Sequence, residues 1–301
     1  MNDITADVLD EVSEWHFAVG GLQTKNDSIE MSGAIHIQRL KVFPTEAELA
    51  FSLNNPLVAG IMQHYGEDVI QHELVIKADT IDDAEDLFLT AHVILAGLRI
   101  RTEAEIICPA LCQTSWAGLR GISGKNCHAY RFEPAMYSHD FGAATLITSD
   151  DIEWVRDNLG KLVELNKDQR FQTAIEALCS YLHAANYRMM AAQLWAGVEA
   201  IFEVRYEISF RLPLLAALLL EKRGPECRDL RKKIKKLYNE RSTAVHGGDV
   251  SEEKLQTHVS EVRTLLAKLL ATIIKRGQLP TKDDFDDLTV MHNEHIYPDE
   301  S

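Results

Sequence analysis

The spacing of hydrophobic positions changes character near the middle of the chain. Ser28 to Ile37 alternates apolar and polar residues, which predicts one half-buried strand. Glu46 to Leu53 and His72 to Ile81 are further strand candidates. Asp82-Asp83-Ala84-Glu85-Asp86 places acids where a helix dipole favours them, at the start of a helix reaching about Leu98. A strand from about Glu103 to Trp116 follows, then a loop marked by Gly118, Gly121 and Gly124, then a strand from Cys127 to Phe132. Residues 1–150 therefore read as an α/β (α+β) domain, with sensing or regulation as its role.

Beyond Asp150-Asp151, which are expected to cap a connecting helix over residues 151–166, the period is helical throughout. Phe171, Ile175, Leu178 and Leu182 form one stripe, and a break near Asn186 precedes a helix carrying Leu194, Trp195, Val198, Ile201 and Phe202. A third helix spans roughly Phe210 to Lys222 and ends at Gly224-Pro225. A basic helix runs from about Cys227 to His246. The last, from Glu252 to Arg276, has Val259, Val262, Leu265, Leu266 and Leu269 on its inner face. Residues 167–277 are thus an all-α bundle, and residues 278–301 an acidic tail expected to be poorly ordered at its end.

One position breaks the bundle's pattern. Leu230, Ile234, Leu237, Arg241 and Val245 share a stripe, so Arg241 occupies a slot that calls for an apolar residue. A guanidinium there needs a carboxylate, a cleft or a second subunit. Glu199 has the same character on the Trp195–Val198–Phe202 face, and pairs in expectation with Arg241 or Arg211. His246 follows where Gly247-Gly248 must end the helix.

Charge sharpens this picture. The net charge of −15 lies wholly in residues 1–165, with 26 acids against 11 bases, while residues 166–301 hold 20 of each. Within the second half, residues 222–241 carry nine Lys or Arg against three acids. Arg228, Arg231, Lys232, Lys235 and Lys236 are the candidate RNA-binding set, because local positive charge steers a polyanion. The plainer reading of the same charges is a solvated helix face.

Arg241 and His246, five residues apart beside Ser242, resemble the Arg-x4–6-His motif of the HEPN superfamily. Leu194–Phe202, Ser209–Ala216, Lys236–Arg241 (with Tyr238) and Val245–Gly248 are similar to successive segments of its Apea-like group, covering roughly residues 170–276. The resemblance implies a metal-independent endoribonuclease acting as a homodimer through the C-terminal bundle. It further implies a toxin or antiphage effector, with an antitoxin or other regulatory partner. Arg241 and His246 are then catalytic, with Ser242, Tyr238 and Glu199 supporting. The alternative is a non-catalytic HEPN module for dimerisation or for nucleotide or RNA binding.

The chemistry fits those residue types. RNA carries its own nucleophile, the 2′-hydroxyl beside the scissile phosphate. Histidine can move protons near neutrality, and arginine offers a planar charged fork to phosphate oxygens. On an unbroken helix, five residues turn about 500°, leaving the two side chains about 140° apart. They converge if the helix unwinds before Gly247 or if two subunits share the site.

Little else competes. Cys108, Cys112, Cys127 and His128 could form a zinc set, but their spacing suits buried small hydrophobes better, so no metal and no cofactor are expected. Five cysteines at irregular positions point to a reducing, cytoplasmic setting. The longest apolar run, Leu212 to Leu220, is interrupted by Pro213 and falls short of a membrane span, so no membrane partner is expected.

Overall fold

A computed structural model describes residues 12–78, 83–122, 124, 126–134, 144–204, 206–245 and 250–290, with the backbone alone for residues 242–245, 288 and 290. The chain divides into two compact units, Met1–Leu159 and Gly160–Ser301. An antiparallel sheet region comes first and a helical region second. The boundary falls inside the helix Ser149–Leu165.

In the first unit, strands β1 (Glu14–Gly20), β3 (Ser28–Ser32), β4 (Ile35–Arg39), β5 (Ile70–Lys77), β6 (Ala110–Cys112) and β7 (Ala129–Arg131) form a sheet in the order β3-β4-β5-β1-β6-β7. Every pairing in it is antiparallel. A separate parallel pair joins β2 (Leu22–Thr24) to β8 (Thr145–Ile147). Among the described residues, three α-helices accompany these strands: α1 (Glu46–Ser52), α2 (Pro56–Val69) and α3 (Ala84–Thr102).

Period-two alternation divides the sheet's side chains into two sets. Trp15, Phe17, Val19, Ile37, Leu74, Ile76 and Leu111 form one core with Leu87, Ala91, Ile94, Leu95 and Leu98 of α3. The opposite set, His16, Ala18, Glu73, Val75 and Cys112, is also buried, so both faces of the central strands are covered.

Several expected elements are corrected. Ser28 to Ile37 is not one strand but a hairpin, with Ile29 opposite Ile37 and the turn at Gly33-Ala34. Glu46 to Leu53 is a helix rather than a strand. The Thr45 hydroxyl accepts from Glu48 N at 3.3 Å, and the Glu48 carboxylate accepts from Thr45 N at 2.7 Å. That capping box starts the helix, and the good helix formers of Glu46–Ala50 continue it. The long strand expected over Glu103 to Trp116 shortens to β6 with a bridge at Ile107. Glu103 takes the left-handed conformation that ends α3, and Trp116–Leu119 is a 3-10 turn. Cys127 to Phe132 contracts to β7 with a bridge from Cys127 to Leu53.

The connecting helix α4 spans Ser149–Leu165. Its cap is Thr148 rather than Asp150-Asp151: Thr148 N and Oγ donate to the Asp151 carboxylate at 3.0 and 2.7 Å. The second unit holds α5 (Gln169–Ser180), α6 (Tyr187–Phe202), α7 (Ile208–Leu220), α8 (Pro225–Val245), α9 (Glu252–Arg276) and α10 (Lys282–Val290). Gly197 lets α5 and α9 both approach α6. A Cβ there would lie 2.6 Å from Ala177 Cβ and 3.1 Å from a Leu266 methyl. The acidic tail is not wholly outside the fold. Phe285 of α10 is buried with its ring 5.6 Å from that of Phe202, and Asp284 pairs with Arg276 at 3.1 Å.

Candidate nucleic-acid interface

The site grows from the stripe of α8. Ile234 and Leu237 are buried, and Arg241 follows one turn later. Of the two pairings left open for Glu199, the structure has the one with Arg241, at 3.3 Å from Nη2 to Oε1. The Tyr238 hydroxyl donates to that same oxygen at 3.1 Å. The guanidinium carbon also lies 5.7 Å from the Tyr238 ring centroid. Arg241 and Glu199 keep 29% and 30% of their side-chain surface exposed, so the pair opens to solvent. Arg241 Nε is buried and has no hydrogen-bond partner among the described residues, so the open part of the group is its terminal nitrogens.

Behind this pair lies a layer that the periodicity did not single out. Trp195, fully buried on α6, meets Tyr238 edge-on, with ring centroids 5.1 Å apart and planes at 87°. Its indole N–H donates to His258 Nε2 of α9 at 3.0 Å. Burial is the main cause lowering the His258 pKa, opposed by Glu240 and Glu261. Burial, followed by the Glu199 charge, raises the Tyr238 hydroxyl above its ordinary value. A usable signal for His258 existed. It sits among Leu255, Val259 and Val262 on the inner stripe, the same kind of anomaly as Arg241.

The outer face of α8 is basic and wet. Arg228, Lys232, Lys235 and Lys236 are exposed. Lys232 pairs with Asp229 at 3.0 Å, Arg228 with Asp229 at 3.6 Å and Lys236 with Glu240 at 3.8 Å. Arg231 and Lys235 meet no carboxylate among the described residues. Arg231 instead lies over the Phe210 ring of α7, 5.0 Å from its centroid. On another side of α8, Leu230, Ile234 and Leu237 line a groove of about 420 Å³ with Leu265 and Lys268.

His246, with Gly247 and Gly248, lies outside the described residues. Ser242 belongs to α8 by its backbone, and its side chain is not described. The structure thus brings together Arg241, Tyr238 and Glu199, and sets the basic residues along one helix beside them.

The first unit holds its own buried polar clusters. Glu73 accepts from Gln38 Nε2 at 2.8 Å and from Ser115 Oγ at 3.0 Å, with His16 Nδ1 at 3.3 Å. Arg99 donates to Glu133 at 2.6 Å and twice to the Ile106 carbonyl. Cys108, Cys112 and Cys127 are buried free thiols, and burial pushes the Cys108 thiol well up. Asn54 hydrogen-bonds His128 at 2.9 Å. Among the described residues, no three His, Cys, Asp or Glu are grouped to hold a metal, and no helix is long and apolar enough to cross a membrane.

Comparison with known proteins found no matching family model, no matching curated protein and no matching solved structure.

Proposed function

We propose that the helical unit is a metal-independent endoribonuclease of HEPN type, with Arg241 and His246 as its catalytic pair. The observation that carries this is the seating of Arg241. A partly open guanidinium rests on Glu199 and Tyr238 at the end of a helix whose outer face is basic. In the proposed reaction His246 takes the proton from the RNA 2′-hydroxyl, which attacks the adjacent phosphorus. The bond from phosphorus to the 5′-oxygen then breaks, that oxygen takes a proton from the His246 imidazolium, and Arg241 stabilises the charge that builds on the phosphorane. RNA supplies the nucleophile, so the step needs no metal activation of water. Because α8 remains helical through Val245, convergence of the two residues calls for a turn after that point or for a second copy of the bundle. A homodimer, control by the first unit, and an antitoxin or other regulatory partner belong to the same proposal.

The Glu199 pair also favours a second reading, since it already supplies Arg241 with a counter-charge. On that reading the bundle binds RNA or nucleotide without cleaving it. Incubation of the full chain with labelled single-stranded RNA in EDTA separates the two. Fragments with 2′,3′-cyclic phosphate and 5′-hydroxyl ends, lost in His246→Ala, support the nuclease. Retained binding without cleavage supports the module. Fragments with 5′-phosphate ends overturn the proposed chemistry.

A further inference from the structure

Phe210 has no role in the reading above, yet its position is unusual. It stands at the start of α7 with 49% of its surface exposed, and Tyr206, four residues earlier, is 78% exposed. A ring exposed singly is ordinary, so what marks this one is the cation that lies over it. Arg231 reaches from α8 to cover this ring at 5.0 Å, although no carboxylate among the described residues holds it there. An exposed ring capped by an uncompensated guanidinium is a surface on which a base can stack while its phosphate meets positive charge.

The helix geometry extends that surface into a track. At 100° per residue, Arg231, Lys235 and Tyr238 fall within about 60° of one another around α8, and Arg241 stands about 60° beyond Tyr238. Arg231 and Arg241 are ten residues apart, which is about 15 Å along the axis. Along the axis Lys235 stands between them, on the Arg231 side of the helix, exposed and without a carboxylate partner among the described residues. One end of the track is aromatic and cationic, and the other is the Arg241 pair.

We infer that Phe210 and Arg231 form a base-stacking subsite for single-stranded RNA, a few nucleotides away from the phosphate held at Arg241. The inference rests on the RNA reading above and gives it a substrate form, since only an unpaired base can lie on the ring. Stacking tolerates any base, so the subsite selects for single-strandedness rather than for sequence. Phe210 is a binding residue here and takes no part in bond breaking.

The test uses the full chain and a single-stranded 2′-O-methyl oligoribonucleotide, which cannot be cleaved by its own 2′-oxygen. Binding is followed by fluorescence anisotropy. Phe210→Ala should weaken binding by roughly tenfold, and Phe210→Trp should restore it, because stacking needs an aromatic face. Removing one base at a time should reveal one position whose loss weakens wild type but not Phe210→Ala, the signature of a contact shared by ring and base. A fully paired duplex should bind both variants alike. Circular dichroism checks that each variant is folded, which half exposure of the ring favours. If wild type binds the single strand and Phe210→Ala binds equally well, the subsite is overturned while the RNA reading stands. If wild type binds no RNA, both fail.

Discussion

The indole N–H of Trp195 donates to Nε2 of His258 across 3.0 Å, and this one contact sets the protonation of the imidazole. Tryptophan can only donate, so Nε2 must carry the lone pair and Nδ1 the proton. A second proton on Nε2 would face the indole hydrogen and break the contact. Burial pushes the pKa of His258 in the same direction, downward. Replacing His258 with Leu should strand the indole donor and cost about 1–3 kcal/mol, whereas His258→Gln keeps an acceptor and should cost less. Urea unfolding of the two variants checks this. Equal losses would show that shape, and not the hydrogen bond, matters at this position.

His72 in the first unit makes stability depend on acid. It is fully buried, and burial, followed by the Arg39 charge, lowers its pKa from 6.5 to about 4. Its geometry agrees. Thr24 Oγ spends its hydrogen on the Asn26 carbonyl, so His72 Nε2 must donate to it, and Nδ1 has no partner among the described residues. The unfolded chain therefore binds a proton that the folded chain refuses. Stability from this group is complete above pH 6.5 and falls as pH drops toward about 4, by roughly 3 kcal/mol. Urea titrations at about pH 7 and about pH 4 should show the loss, and His72→Leu should flatten it. An unchanged slope in that variant would assign the acid sensitivity to other groups.

The basic face of α8 makes a salt-dependence prediction. Changing Arg231, Lys232 and Lys235 together to Gln should weaken RNA binding. The slope of log affinity against log salt should become shallower by about 2, from the counterions that three lost phosphate contacts no longer release. Anisotropy over a salt series measures both. An unchanged slope would make these charges an ordinary solvated face.

What could be read in advance depended on how local each cause is. Both ends of α9 were legible, because its inner stripe runs from Leu255 to Ile274, interrupted at His258, and Gly277 closes it at φ 77. The helix α1 reads as a strand candidate, although Thr45 and Glu48 stand at the capping-box spacing that starts it. The hairpin of β3 and β4 hid behind one alternating run because a turn at Gly33 preserves the alternation on either side. Glu73 could not be read at all, since its partners His16, Gln38 and Ser115 come from three distant segments. Arg241 and Glu199 were visible as charges in apolar slots, but the hydroxyl that joins them to Tyr238 needed coordinates.

The Arg241–Glu199 pair supplies the most direct test of the site. Had both groups been fully buried, removing one would strand a charge at about 3–5 kcal/mol. With roughly a third of each side chain exposed, water screens the partner left behind, and Arg241→Ala should cost about 1 kcal/mol or less. Stability and activity then separate cleanly. Arg241→Lys should be folded and nearly inactive, since an ammonium cannot present the planar fork to a phosphorane. Glu199→Gln should retain an oxygen for the Tyr238 hydroxyl but lose the charge that orients Arg241, so cleavage should slow by roughly tenfold with the fold intact. Single-turnover cleavage of labelled RNA, with unfolding curves beside it, measures each variant. Full activity in Arg241→Lys would remove bidentate phosphate recognition from the mechanism. Unchanged cleavage in Glu199→Gln would leave the carboxylate as a counter-charge and nothing more.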